Sequence, residues 1–377
     1  MKRKKVSELA KQIRGVSYKT EDLHENLDEN SVTLLRANNI FEGRINFDDV
    51  VYVDKSRVAR EQYLCKGDIL VCASSGSKQL VGKAASFNFD TECTFGAFCK
   101  VVRPNQDVAN YLSMYFQSNA YRRKISEVAI GANINNIRNE HIDALELPIG
   151  SNAENEKVVA SFSLLQQIID GRKQQLHKLD ELIKSRFIEL FGDPVLNQHG
   201  WRKVALEVNA TLLNGRAYKQ DELLDSGKYP VLRVGNFFSN RGWYYSDLEL
   251  DDDKYCDNGD LLYAWSASFG PQIWNGGKVI YHYHIWKVLV GEAYNKQFLC
   301  KLLEYATESL MGDSHGIAMM HLTKSGMEKT EFIVPPIEQQ EQFAAFVEQT
   351  DKSKLAVQKG LQELEILKKS LMQQYFG

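Results

Sequence analysis

With 377 residues, 44% hydrophobic and 25% charged, the chain has the size and balance of a globular protein of two or three domains, which excludes a fibrous or wholly disordered chain. No apolar run reaches the length that spans a bilayer. A formal net charge of −3 argues neither for nor against nucleic acid, because binding takes a basic face rather than a basic total. The start, MKRKKVSELAKQIRG, is basic with no apolar stretch behind it, so no signal peptide is expected. Cysteines 65, 72, 93, 99, 256 and 300 form no CxxC pair and have no histidine at zinc-ligand spacing. A reduced, cytoplasmic setting is expected.

Residues 1–150 form a first domain of mixed type. LVCAS, AFCKVVR and LELPI read as short strands, and VANYLSMYFQSNAYRRKISEVA as one helix burying Leu112, Tyr115, Phe116 and Tyr121. Residues 151–194 give a long helix and connector. The stretch Glu154–Gly192 has no proline until Pro194 and repeats apolar residues at spacings of three and four. Its stripe is Leu165, Ile169, Leu176, Leu179, Ile183 and Leu190. Pro194 and Gly200 are expected to stop the helix, and the chain resumes at Trp201.

Residues 195–336 repeat the plan of the first domain. Gly15-Val-Ser-Tyr18-Lys19 returns as Gly215-Arg-Ala-Tyr218-Lys219, and Leu35-Arg36-Ala-Asn38 as Leu232-Arg233-Val-Gly235. Tyr63–Leu70 returns as Tyr255–Leu262, followed by Ser74 and Ser266; Gly131 returns as Gly316, and LELPI as EFIVPPI. Residues 337–377 then form a second long helix, with Glu156 matching Glu341, Leu179 matching Leu364 and Phe191-Gly192 matching Phe376-Gly377, all at an offset of 185. The second stripe contains Phe343, Val347, Thr350, Val357, Leu361, Leu364, Leu371 and Tyr375. Arg172 and Arg186 stand where it has Val357 and Leu371, while Lys354 and Lys368 stand where the first has Ile169 and Ile183.

Complementary gaps imply that the helices bury their narrow faces against each other, as an antiparallel pair, since a whole domain lies between them in sequence. The other reading is two amphipathic helices packed on separate domains. At about 35 residues, each would be roughly 50 Å long, a spacer rather than a core helix. The fold class expected is therefore α+β: two homologous mixed α/β domains separated by a long antiparallel two-helix coiled coil.

Motifs for catalysis are weak. GDSHG at 312–316 matches the nucleophile elbow G-x-S-x-G, but a helix precedes it where a strand is needed, which speaks against Ser314 as a nucleophile. Gly76–Lys83 resembles a P-loop with one residue too many and Ala84 in place of the magnesium-binding hydroxyl, so a phosphate-binding role survives for Lys78 and Lys83 only. His282 and His284 alternate on one expected strand without a third ligand, and no metal is expected.

What remains suits nucleic acid. In the first domain the candidates are Lys19, Arg36, Asn38, Asn39, Ser74, Ser75, Ser77, Lys78 and Lys83, with Arg122, Arg123 and Lys124 at a helix end. A solvated helix end serves equally well for those three cations. Asn133, Asn135, Asn136 and Arg138 crowd one loop, where asparagine pairs with adenine and arginine with guanine, or where asparagine simply makes turns. The second domain offers Arg216, Lys219, Arg233, Asn236, Ser266, Ser268, His315, His321 and Lys324, with Trp265 and Phe269 as loop anchors.

Two divergent domains, each followed by a long helix, resemble the specificity (S) subunit of Type I restriction–modification enzymes over essentially the whole chain. The pieces that carry the resemblance are Leu190-Phe-Gly-Asp-Pro194 with Gly200-Trp201, Gly67-Asp-Ile-Leu70, Gly259-Asp-Leu-Leu262 and Trp265-Ser-Ala-Ser-Phe-Gly-Pro271. Gly131-Ala-Asn-Ile, Leu147-Pro-Ile and Ile333-Val-Pro-Pro-Ile-Glu-Gln-Gln340 complete them. The first exit departs from the pattern, with Ile149-Gly-Ser-Asn-Ala-Glu-Asn-Glu156 where a P-P-x-x-E-Q segment is usual.

The resemblance implies two target recognition domains on a coiled-coil spacer, with no catalysis by this chain. It implies duplex DNA as ligand and an asymmetric bipartite target. Two adenine methyltransferase subunits would carry S-adenosylmethionine, and restriction subunits would carry ATP and Mg. The alternatives are a stand-alone nucleic-acid-binding module, an S-like subunit of another defence system, and a serine hydrolase using Ser314.

Overall fold

A computed structural model describes residues 2–77, 79–128, 135–239, 242–266, 268–312 and 323–377. The chain divides into two units, Met1–Lys173 with Lys359–Gly377, and Gln174–Gln358. Both divisions fall inside long helices, so each unit contains part of each.

In unit 1 the strands are β1 (Ala10–Arg14), β2 (Leu23–His24), β3 (Ser31–Leu35), β4 (Val51–Asp54), β5 (Asp68–Cys72), β6 (Ala84–Phe87), β7 (Cys93–Phe95) and β8 (Cys99–Pro104). They form an antiparallel sheet β6-β5-β8-β1 and a mixed sheet β7-β3-β4-β2, in which β7 runs parallel to β3. The strand DILVC of β5 is buried throughout. Its side chains alternate across the sheet: Ile69 and Val71 enter a core with the helical residues Tyr111, Leu112, Tyr115 and Phe116, while Leu70 and Cys72 meet Leu35, Phe87 and Phe95.

Unit 2 repeats this with β9 (Ala210–Asn214), β10 (Tyr229–Leu232), β11 (Tyr244–Ser246), β12 (Tyr255–Cys256), β13 (Leu261–Ser266), β14 (Ser268–Ile273), β15 (Val279–Tyr281) and β16 (Ile285–Val290). The antiparallel sheet is β14-β13-β16-β9, and β15 again runs parallel to its neighbour in β11-β10-β15-β12. Leu261 and Tyr263 face one core, and Leu262 and Ala264 the other.

The stretch expected as a single helix is broken in two, α1 (Ala109–Gln117) and α2 (Asn119–Val128). Ser118, extended at ψ 154° and buried, makes the break: its hydroxyl donates to the Tyr115 carbonyl (2.7 Å) and accepts from the Tyr121 N–H (3.2 Å). One side chain thus ends a helix and caps the next. The counterpart in unit 2 is α4 (Lys296–Gly312).

The long helices are α3 (Asn152–Phe191) and α5 (Ile337–Phe376), 40 residues each. The first ends at Gly192, left-handed at φ 72°, two residues before Pro194. Beyond it Asn197 brackets Trp201 through the backbone N–H and carbonyl (2.9 and 2.8 Å), and the Trp201 indole donates to the Phe191 carbonyl (2.9 Å).

Within each unit the two helices run antiparallel. In unit 1 Phe162 meets Tyr375, Lys368 reaches Gln166 (2.6 Å) and Lys173 pairs with Glu365 (3.8 Å). In unit 2 Lys354 pairs with Asp180 (2.7 Å) and Phe187 meets Phe343. The two lysines that interrupt the second stripe therefore cross to α3. Of the stripe residues, Leu165, Ile169, Ile183 and Val357 are buried, and Leu176, Leu179, Leu190, Leu361, Leu364, Leu371 and Tyr375 are half-buried.

The helix ends are more than a spacer, which corrects the expectation from length. Val158, Phe162 and Phe376 belong to the core of unit 1, and Phe187, Phe191, Phe343 and Val347 to that of unit 2. Phe187 is fully buried against Phe191, Phe298, Tyr305 and Phe343. No helix among the described residues is long and apolar enough to cross a membrane.

Candidate nucleic-acid interface

The features matched between the halves build the scaffold. Gly67 and Gly259 sit at φ 87° and 88°, a conformation that only glycine adopts cheaply, and turn the chain into β5 and β13. The aspartate after each one closes that turn. Asp68 accepts from the Cys65 N–H (2.8 Å) and takes both arms of Arg103 (2.8 and 2.7 Å); Asp260 accepts from the Asp257 N–H (2.8 Å) and pairs with Lys287 (2.7 Å). Gly15 and Gly215 cross the carbonyls of Gly96 and His282 so closely that a Cβ would lie at 2.2 and 2.4 Å from them.

Several candidate contacts also prove structural. The Asn39 side chain accepts from the Arg36 N–H (2.8 Å), and that of Asn236 from the Arg233 N–H (3.3 Å); both are buried and donate to the carbonyls of Asp49 and Gly242. These two asparagines cap turns and are not placed to read bases. Lys19 and Lys219 play parallel roles through their backbone N–H groups, bonded to Asp22 and Glu222, while Lys19 also pairs with Glu21 and the Lys219 side chain stays exposed. Arg122 is spent on the carbonyls of Val81 (2.7 Å) and Gln79 (3.0 Å), propping the loop around Gly82. Lys124 donates to the Glu146 carbonyl (3.1 Å), and burial lowers its pKa. That leaves Arg123 as the exposed cation of the three.

What the fold does gather lies around one turn in each unit. In unit 1 Arg36, Asn38 and Ser74 line an open cavity of about 450 Å³ with Tyr18, Gly96, Ala97 and Phe98. The carboxylate of Asp49 holds both Arg36 (2.9 Å) and Asn38 (2.6 Å) at its edge, while the Arg36 Nε is buried without a hydrogen bond. Ser74–Ser75 form a short strand antiparallel to Asn135–Asn136, which brings the asparagine loop beside the serine loop. Ser77 and Asn136 are exposed there. Arg138 is exposed and pairs with Glu140 (3.6 Å). Lys83 lines a separate open cavity of about 450 Å³ with Arg122, Lys368 and Lys369.

In unit 2 the same turn is His282-Tyr283-His284. Tyr283 N–H donates to the Arg216 carbonyl (3.0 Å), and the Trp265 N–H to that of His284 (3.0 Å). Arg216 lies over the Tyr218 ring and is clamped by both oxygens of Glu222 (2.9 and 2.7 Å), and these hydrogen bonds, then that from the Lys219 N–H, hold the Glu222 carboxyl down to about 2. Arg233 lies over Tyr244. Ser266 and Ser268 face each other across β13 and β14, with Trp265 paired to Phe269. Lys324 is held by Glu328 (3.5 Å).

His282 and His284 sit in this turn and not on a strand, a correction to the alternation reading. Their rings are 4.7 Å apart, and burial, then His284 and Arg233, push the His282 pKa down to about 4. Among the described residues no three His, Cys, Asp or Glu side chains gather to hold a metal. Lys78, Asn133, Ser314, His315 and His321 lie outside the described residues, as does the side chain of Asn135.

Phe98, Tyr283 and Asp49 did not emerge from the sequence. The available signal was the equal spacing from β7 to β8 and from β15 to β16, which makes Gly96-Ala-Phe98 the counterpart of His282-Tyr-His284.

The model of the Type I restriction modification DNA specificity domain matches residues 199–366. The chain is 34% identical over 281 residues to the EcoKI specificity subunit of Escherichia coli (strain K12), covering 69% of this chain and 60% of that protein. It is 32% identical over 279 residues to the StySPI specificity subunit of Salmonella potsdam, covering 68% and 59%. The chain thus spans about six tenths of the length of these relatives.

Two solved chains share its fold over its whole length. The Type I restriction–modification system S subunit from M. genitalium has TM-score 0.54, 14% identity and 96% of that chain covered. A chain solved for the complex assembly and conformational transition of the type I R-M system has TM-score 0.61, 15% identity and 97% covered.

Proposed function

This chain belongs to the family of Type I restriction–modification specificity subunits, and we propose that it reads an asymmetric bipartite site in duplex DNA, one half-site per unit, without catalysing a reaction. The observation that carries this reading is one scaffold with two chemistries. The same turn is framed by Arg36, Asn38, Ser74 and Phe98 in unit 1, and by Arg216, Arg233, Ser266 and Tyr283 in unit 2. Cations and amides of this kind grip phosphates and read base edges, and different sets read different sequences. A helix of 40 residues is roughly 60 Å long, enough to bridge half-sites one duplex turn (about 34 Å) apart.

Adenine methyltransferase subunits, two per complex, bring S-adenosylmethionine and methylate a flipped adenine at N6 in each half-site. Restriction subunits bring ATP and Mg. The complex acts in the cytoplasm. Co-expression with candidate methyltransferase subunits, followed by mapping of methylated adenines, tests this. One asymmetric bipartite motif with a fixed gap is the expected result; methylation that does not depend on this chain would remove the proposal.

A further inference from the structure

Exposed aromatic side chains are common one at a time and need no purpose. Here the same turn carries one in both units, at Phe98 (70% exposed) and Tyr283 (39% exposed). The positions are neighbours rather than equivalents: Phe98 corresponds to His284, and Tyr283 to Ala97.

The turn itself is rigid. In unit 1 the Phe98 carbonyl accepts from the N–H groups of Ala73 (2.9 Å) and Ser74 (3.0 Å), and Cys99 N–H donates to Gly96 (2.8 Å). In unit 2 the Trp265 indole adds a bond to the Tyr283 carbonyl (2.8 Å), and Ile285 N–H donates to His282 (2.9 Å). The strand entering each turn is buried throughout, so little entropy is left to lose when the tip meets a ligand. Around the tip stand Arg36, Asn38 and Ser74 in one unit, and Arg216 and Trp265 in the other. A fixed apolar ring among groups suited to phosphates and base edges has the arrangement of a wedge that unstacks a base step.

We propose that Phe98 and Tyr283 insert at a base step, one in each half-site, and stack on an exposed base beside the adenine to be methylated. The proposal rests on the DNA-reading function above. Opening a neighbouring step lowers the cost of extruding that adenine.

The test uses the full complex with its methyltransferase subunits. The probe is a duplex carrying the mapped site, with 2-aminopurine replacing adenines one at a time. The wild-type complex should raise 2-aminopurine fluorescence at one step in each half-site besides the methylated adenine. Phe98→Ala should erase that rise in one half-site only and weaken specific binding by about ten- to a hundred-fold, the range for alanine at base-stacking aromatics. Phe98→Trp should restore both, and Tyr283→Ala should do the same to the other half-site. Phe98→Gln serves the same purpose if alanine disturbs the turn. Wild-type affinity and fluorescence in Phe98→Ala and Phe98→Gln would overturn the wedge and leave the DNA reading intact. A wild-type complex that ignores the duplex would overturn the DNA reading, and the wedge with it.

Discussion

Units 1 and 2 share the order of their antiparallel sheets, the left-handed glycine before β5 and β13, and the asparagine that caps the turn after β3 and β10. Their mixed sheets differ in the edge strand, β2 beside β4 in one and β12 beside β15 in the other. They differ in what those elements present. The Asp68–Arg103 pair is enclosed, with the aspartate side chain 1% exposed, whereas Asp260–Lys287 lies at 27% and 18%. Gly96 of unit 1 is replaced by His282, Val16 by Arg216 and Ala73 by Trp265, all around the one turn. The difference teaches that the duplication kept the residues that hold the turn and changed those packed around it, from small buried residues in unit 1 to large half-buried ones in unit 2. Such a division suits two sites of one kind with different targets.

The most drastic way to sharpen the comparison is to lengthen what both units share. One extra helical turn inserted in α3 after Lys173 and another in α5 after Gln358 adds about 5 Å. The expected outcome is a methylation motif whose gap grows by about one or two base pairs with both half-sites unchanged, read by mapping methylated adenines. An unchanged gap would break the spacer role.

Next in size are the two aspartates. Asp68→Ala removes a buried carboxylate from the half-buried Arg103, which keeps the Tyr63 carbonyl, and should cost about 2–3 kcal/mol, while Asp260→Ala, at a more hydrated pair, should cost about 1 kcal/mol. Urea unfolding of the two variants measures the contrast, and equal losses would contradict the difference in enclosure. Asn39→Ala and Asn236→Ala remove equivalent caps and should each cost about 1 kcal/mol, with similar losses in the same assay.

A pH dependence separates the units as well, with an effect that is small near neutral pH and grows only on acidification. His282 has its folded pKa near 4, below the 6.5 of an unfolded histidine, so on acidification the unfolded chain binds the proton first. The stability linked to it is intact above about pH 6.5 and declines toward pH 4. His24 of unit 1 runs the other way: its hydrogen bond to Asp28 raises its pKa, so its contribution is present below 6.5 and is lost as pH rises through the raised value. His282→Gln should flatten the acid-side slope of unit 2 in thermal melts between pH 6.5 and 4, and an unaltered slope would assign it to other groups.

Much of the fold was legible because it is periodic. The two long helices show spacings that only a helix satisfies, and the strand after Gly67 shows as a short apolar run, although LVCAS sets it two residues late relative to DILVC. Ser118 was hidden because both helices that it separates bury aromatic residues at helical spacing. Phe187 was passed over since the stripe was followed through leucine and isoleucine, although it is fully buried in the core of unit 2. The site was less legible. AFCKVVR reads as one strand, but the strand starts at Cys99 and leaves Ala97 and Phe98 on the turn. His282 and His284 alternate as strand residues do, yet the chain turns between them. Asn39 and Asn236 look like base readers in sequence, and only their hydrogen bonds show that they are caps.

The central claim is that each unit reads one half-site independently, and exchanging one unit's recognition domain tests it most directly. Residues 1–150 would be replaced by the corresponding domain of a relative with a different target, and methylated adenines mapped across the host DNA. One half-site should change while the other half-site and the gap stay as they were. A motif that changes in both halves, or in neither, would contradict the division of labour between the units.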